Sequence, residues 1–355
     1  MLSLFISVAR FCRLPLIGLT EVIVYVGAAS GNAGGSWQPL LLAFAVGLAL
    51  HLTVFILNDV IDAEIDRTDP RRAHTPIAAG QIGERTALLI SLASSVVGAV
   101  ALLAARDPAK PLVFYGAATV GFVVYDIYGK RFVLPPVMDV IQGLAWASLA
   151  LMSASLNGEI GIASILLAVS ICLYICVLNG IIGSLRDAAN DISHHAITTA
   201  AFFLKGRLRN AGDGLPRVYI WYGVALEILH AVACVAGVCA LAVQMGRGIE
   251  MYAATSISAG VFCILLLAGA LTQYSQRRLV WVCGFVYSIL AFWAIVVAVW
   301  VGFGPTAFAA ASALLILPWL GSSVVRSLLT GRGDWSHSTG PYVLIGKEQG
   351  KPGSV

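Results

Sequence analysis

Apolar residues run along this chain in long, nearly unbroken blocks, and the polar residues gather in the stretches between them. With a window of about 19 residues, the blocks fall at roughly 14–31, 38–57, 86–105, 111–127, 135–156, 160–183, 218–244, 251–272, 279–302 and 306–329. Each is close to the ~20 residues a helix needs to cross the hydrocarbon core of a bilayer, whereas a barrel strand needs about ten residues of alternating polarity. A lipid-facing backbone must also satisfy its own hydrogen bonds, which leaves helices. The pattern therefore predicts an all-α fold, a polytopic transmembrane helical bundle over residues 1–330 with ten candidate spans. The first block follows Arg10 and Arg13, lacks a small-residue cleavage site and leads directly into the second, so it reads as a span and not as a leader. The Gly-, Ser- and Lys-containing tail at 331–355 is expected to be a disordered cytoplasmic extension.

Composition agrees with the pattern. With 59% of its 355 residues apolar, 11% charged and a mean hydropathy of +0.88, the chain excludes a water-soluble fold. The formal charge of +4 hides an asymmetry, because ten spans put nineteen of the 22 Lys and Arg on one side and only Arg106, Lys110 and Arg247 on the other. By the positive-inside rule the nineteen, and with them both termini, face the cytoplasm; this is a topology signal and gives no reason to expect nucleic acid. The seven cysteines all lie in or at the ends of apolar blocks and read as small core hydrophobes.

The charge concentrates in three segments, 58–86, 125–134 and 184–217, which emerge on the same membrane face. The first reads Asn58-Asp59-Val60-Ile61-Asp62-Ala63-Glu64-Ile65-Asp66. At about 100° per residue, Asp59, Asp62 and Asp66 share one helix face about 60° wide. No Lys or Arg is interleaved at i+3 or i+4 to neutralise them, as a salt-bridged surface helix would have, so the face suits a divalent ion. The second, Ser184-Leu185-Arg186-Asp187-Ala188-Ala189-Asn190-Asp191, puts Asp187 and Asp191 one turn apart. Mg²⁺ takes oxygen ligands and commonly binds through one or two carboxylates plus substrate phosphates. Two acidic helix ends facing each other would hold such ions with a diphosphate between them.

These residues resemble the UbiA superfamily of intramembrane prenyltransferases. Its NDxxDxxxD signature is matched by Asn58, Asp59, Asp62 and Asp66, and its DxxxD by Asp187 and Asp191; Pro76 to Gly80 and Thr198 to Gly206 resemble the family's loop segments. The family usually has nine spans, so nine or ten are expected here. The resemblance implies Mg²⁺ as cofactor, a polyprenyl diphosphate drawn from the lipid bilayer, and a small-molecule acceptor, with an aromatic one favoured. It implies metal ligands at Asp59, Asp62, Asp66, Asp187 and Asp191, and catalytic work by Asp59, Asp62, Asp187, Asp191, Lys130 and Tyr125.

Lys130, Arg131, Arg72 and Arg186 are the candidate diphosphate contacts, since cations near the metals match phosphate oxygens. Asn58, His74 and Tyr128 complete the expected substrate contacts, with Tyr125 and Tyr128 able to face a cation through their rings. Thr75 stands where the family often has Arg, with Arg71, Arg72 and His74 near enough to substitute. Ile197 stands where it has Lys, and Tyr125 is one residue too far from Lys130 for its Y-x-x-x-K. Polar residues inside spans, costly in lipid, are candidates to line an acceptor pocket: Glu21, His51, Asp139, Gln142, Asn179, Glu227 and His230, with Glu227 and His230 expected to satisfy each other. The loops 67–86 and 192–217 are expected to form a lid. Cyclisation of the prenyl chain without an acceptor, and a non-enzymatic transporter, are the alternative readings.

Overall fold

A computed structural model describes residues 2–31, 37–68, 72–73, 75–204, 214–273, 277–314 and 316. The 331–355 tail, His74 and much of the expected lid loops lie outside the described residues. What is described is helical throughout: α1 (Leu2–Phe11), α2 (Ile17–Ser30), α3 (Trp37–Ile61), α4 (Ala63–Thr68), α5 (Glu84–Leu102), α6 (Ala109–Tyr128), α7 (Pro135–Asn157), α8 (Ile162–Val177), α9 (Ser184–Ser193), α10 (Thr199–Leu204), α11 (Arg217–Gln244), α12 (Glu250–Thr272), α13 (Arg277–Phe303) and α14 (Pro305–Leu314).

The apolar blocks fall on helices where they are described, and among the described residues eight helices are long and apolar enough to cross a membrane, which does not reach the expected nine or ten. The difference lies at the two ends. The first block opens with Arg13 in the left-handed conformation (φ 44°) and a 3₁₀ turn over Leu14–Leu16 that includes Pro15, so only Ile17–Ser30 remains for α2. Fourteen residues rise about 21 Å, short of the ~30 Å core. In the last block the helix described is Pro305–Leu314, and residues 317–329 lie outside the described set.

Lipid leaves no hydrophobic force between helices, so they associate through small residues and interhelical hydrogen bonds. α2 sits centrally, against α3, α7, α8 and α13. A Cβ on Gly27 would stand 2.2 Å from the Ala150 carbonyl oxygen, and one on Gly31 2.3 Å from that of Ala154. Ser153 donates to the Val24 carbonyl at 2.7 Å and Ser164 to that of Ser30 at 2.9 Å, joining α7 and α8 to the same helix. Large apolar side chains on the periphery, Leu89, Val97, Val113, Val120 and Leu265 among them, are exposed as a lipid-facing surface requires. Cys172, Cys176, Cys234 and Cys263 are buried, in line with their reading as core hydrophobes.

Between α8 and α9 the chain stays helical but widens to a π turn over Leu178–Gly183. Such wider turns leave carbonyls misaligned and recur at functional sites. Here Tyr219 of α11 donates to the carbonyls of Gly180 at 3.0 Å and Ile181 at 3.3 Å. The turn sets the direction in which α9 and its carboxylates leave the bundle.

The close approach of α2 and α7 makes a test of this packing. Gly27→Val forces backbone apart and is expected to destabilise the protein by about 1–3 kcal/mol or more, read as a lower thermal midpoint in detergent. Gly116→Ala, where an added Cβ has nothing within 4 Å, is expected to leave the midpoint unchanged.

Candidate functional site

The first acidic segment crosses a helix break without losing its face. α3 ends at Ile61 and α4 begins at Ala63, yet Asp62 N donates to Asn58 O at 2.9 Å and Asp66 N to Asp62 O at 2.8 Å, so the helical phase continues. Asp59, Asp62 and Asp66 are 4%, 5% and 3% exposed. On α9, Asp191 is 3% exposed and Asp187 more open. The two segments meet: Arg72 Nη1 donates to Asp66 at 3.2 Å and its Nη2 to Asp187 at 3.4 Å.

No Lys or Arg at i+3 or i+4 neutralises this face, yet it does not stand without cations. Residues 58–68 supply none of them; they come from Arg72 in the loop that follows and from other elements. Arg13 pairs with Asp59 and donates to Asn58 Oδ1 at 3.3 Å, and Lys130 Nζ donates to Asp62 at 2.8 Å. Arg186 pairs with its neighbour Asp187 at 2.8 Å. Thr198 donates to Asp191 at 3.0 Å, while Ile197 N donates to the Lys130 carbonyl at 2.7 Å, which ties the α9–α10 connection to the end of α6. In this ion-paired arrangement the described residues contain no group of three or more His, Cys, Asp or Glu spaced as a metal cage. The donor set is still all oxygen and converges from two helix ends, as a hard divalent cation requires.

Burial dominates the electrostatics. It pushes the Asp191 carboxyl up to about 6, against the pull of Lys130. It also raises Asp66, with Arg72 opposing and Asp62 adding to the rise. Each acid would ionise less readily without its cations.

The remaining predicted residues divide into three sets. Tyr125 is half-buried and interacts electrostatically with Asp62, Asp191 and Asp139, so it belongs beside the cluster. Deeper in the bundle, Asp139 accepts from Thr199, and Asn179 donates to Gln142 at 2.6 Å. Tyr128 and Arg131 are exposed and make no side-chain bond to the carboxylates among the described residues.

His51, a pocket candidate, is instead held by Thr20 at 2.8 Å and the Cys12 carbonyl at 3.0 Å, which fixes the turn that aims Arg13. Glu227 and His230 do not satisfy each other: Tyr287 of α13 donates to Glu227, and Ser170 of α8 pairs with His230 at 3.1 Å. Sequence reasoning missed Arg13 as a site residue, because charge near a span reads as topology, and missed Asp126, whose Oδ1 accepts from Asn58 at 3.2 Å. The signal for Asp126 was its place one helical turn before Lys130.

The profile of the UbiA prenyltransferase family matches residues 22–276. The chain belongs to that family. Among UbiA relatives it is similar to a 4-hydroxybenzoate octaprenyltransferase of Acidovorax ebreus, 32% identical over 140 residues, 38% of this chain and 46% of the relative. It is also similar to a protoheme IX farnesyltransferase of Korarchaeum cryptofilum, 27% identical over 162 residues, 45% of this chain and 52% of the relative. The chain thus matches about half the length of these curated relatives.

Solved structures share the UbiA fold at low identity. A digeranylgeranylglyceryl phosphate synthase superposes with a TM-score of 0.59 at 16% identity, over 87% of this chain and 98% of that one. A UbiA homolog from Archaeoglobus fulgidus bound to GPP and Mg²⁺ does so with a TM-score of 0.58 at 15% identity, over 81% and 99%. The membrane-length helices and the family make this an integral membrane protein.

The raised Asp191 gives a pH test. The fold favours its neutral form, so this group's contribution is fully present below the ordinary 3.8 and is lost as pH rises to about 6. In metal-free protein Asp191→Asn is expected to stabilise by about 1–3 kcal/mol above that range and to flatten the loss of thermal midpoint across it. An Asp191→Asn midpoint that tracks wild type at every pH would remove burial as the dominant influence on this acid.

Proposed function

We propose that the chain is a Mg²⁺-dependent intramembrane prenyltransferase, ionising a polyprenyl diphosphate and passing the prenyl group to a small-molecule acceptor, with an aromatic acceptor favoured. One observation carries this reading: two carboxylate sets, from α3–α4 and from α9, each with a buried acid, are drawn together at one end of a membrane bundle by a shared arginine, Arg72. Relatives named for octaprenyl and farnesyl transfer, and a homolog solved with GPP and Mg²⁺, support it.

Asp59, Asp62, Asp66, Asp187 and Asp191 are the proposed Mg²⁺ ligands, with Asn58 beside them. Mg²⁺ held there would supply neutralisation of the charge that develops on the departing diphosphate. Lys130, Arg72 and Arg186 lie against these carboxylates and are the proposed diphosphate contacts, with Arg131 and His74 as outer candidates and Tyr128 at the rim. Arg13 joins them on structural grounds. The C–O bond that breaks leaves an allylic cation, which bulk water would quench; the packed helices exclude that water. Tyr125 faces the same group of charges, and its ring is the proposed partner of the cation. Asp139 and Asn179, one layer deeper, are proposed to meet the acceptor. The Lys and Arg asymmetry supports a site that opens to the cytoplasm.

The test incubates membranes with labelled geranyl, farnesyl and geranylgeranyl diphosphates plus Mg²⁺, and every lipid-soluble product is identified by mass. Asp59→Asn, Asp62→Asn, Asp187→Asn and Asp191→Asn are each expected to purify normally and to lose at least about 100-fold in turnover, and chelation of Mg²⁺ to abolish it. Near-full turnover in these variants would refute the metal-site reading. An acceptor-free hydrocarbon as main product would replace transfer by cyclisation.

A further inference from the structure

Asp126 belongs to neither acidic signature, and the proposed function gives it no task, yet the fold draws it into the same buried group. It stands on the last turn of α6, 9% exposed, with Oδ1 accepting from Asn58 Nδ2 at 3.2 Å. Asn58 in turn accepts from Arg13 at 3.3 Å through its own Oδ1, and Arg13 holds Asp59. Asp126 therefore ends a connected chain that starts at the first signature carboxylate. Asp59 and Asp62 both act on it electrostatically.

Its second oxygen sets it apart. Asp126 Oδ2 is buried and has no hydrogen-bond partner among the described residues. The other carboxylates of the group are matched: Asp59 by Arg13, Asp62 by Lys130, Asp66 and Asp187 by Arg72, and Asp191 by Thr198. Lys130, one turn further along the chain, donates to Asp62.

A buried acid in this position has two resolutions. It can stay protonated, although Oδ2 then buries its O–H with no partner among the described residues. Otherwise it meets a cation that arrives from outside the chain. The Asn58 amide links the two sides, giving its NH₂ to Asp126 and accepting through its carbonyl oxygen from the Arg13 that holds Asp59. A carboxylate, an amide oxygen and a second carboxylate are the hard oxygen donors that Mg²⁺ or Mn²⁺ takes.

We propose that Asp126 supplies an additional oxygen ligand to the divalent-cation site, together with Asn58 and Asp59. The inference rests on the reading of the acidic group as a cation site and adds a third element, α6, to the two that carry the signatures.

The test titrates the full-length, detergent-solubilised, metal-free protein with Mn²⁺, reads free ion by its EPR signal, and runs with and without inorganic pyrophosphate. Asp126→Asn and Asp126→Ser are each expected to weaken Mn²⁺ binding at least about tenfold, with the thermal midpoint of the metal-free protein unchanged or raised, since a like charge leaves the group. Mn²⁺ binding within about twofold of wild type in both variants would overturn the proposal, even if their turnover fell. If Asp59→Asn weakens binding and Asp126→Asn does not, only this inference fails. A wild-type protein that takes up no Mn²⁺ under either condition would overturn this inference and the proposed metal site together.

Discussion

Carboxylates crowded onto one end of a membrane bundle repel one another and resist burial, and the architecture around them is arranged to supply the cations that offset both costs. Those cations come from far along the chain. Arg13 is 46 residues from Asp59, Lys130 is 68 from Asp62, and Arg72 is 115 from Asp187. Satisfying three acids therefore ties the turn before α2, the end of α6 and the loop after α4 to a single point. The cations are part-exposed while the acids are buried, so an acid that loses its cation is left worse placed than a cation that loses its acid. The site and the fold are thus coupled through charge and not through apolar burial, which is scarce as a driving force between helices in lipid.

Packing deeper in the bundle serves this arrangement. The close contact of α2 with α7, allowed by Gly27 and Gly31, brings the start of α2 and its Arg13 turn against α3. His51 then fixes that turn through the Cys12 carbonyl. On the other side, the π turn before α9 is braced by Tyr219, and Gly180 within it lies close enough to Asp139 that a Cβ would stand 2.4 Å from Oδ2. Each feature is local, yet together they decide how two acidic helix ends face each other.

The sequence was most legible where physics leaves few choices. Apolar blocks of membrane length have to be helical, and where these blocks are described they are. The 100° spacing of Asp59, Asp62 and Asp66 survives a helix break because the hydrogen-bond phase survives it. Legibility failed where partners come from crossing helices. Glu227 and His230 share a face at i, i+3, but Tyr287 and Ser170 reach them first. Arg13 looked like one more positive-inside residue, and only its left-handed backbone turns it back toward Asn58. The length of α2 was overestimated because hydropathy averages over the 3₁₀ turn and Pro15 without registering that they interrupt the helix.

The ion pairs also explain how such a site can stay folded and still accept a charged ligand. A diphosphate with its divalent ions brings both signs of charge into the group at once. On the proposed function, Arg13, Arg72 and Lys130 would pass from carboxylate to phosphate oxygens, and the carboxylates they leave would hold the incoming ions. No charge would then be stripped of a partner, so the desolvation already paid in folding would not be incurred again. A ligand carrying only one sign would lack this compensation: a bare anion would compete for the cations and strand the acids, and a bare cation would strand the arginines. On that reading the paired carboxylates and cations would favour metal and diphosphate together over either alone, and the preference would follow from burial and charge balance before any contact with the prenyl chain is made.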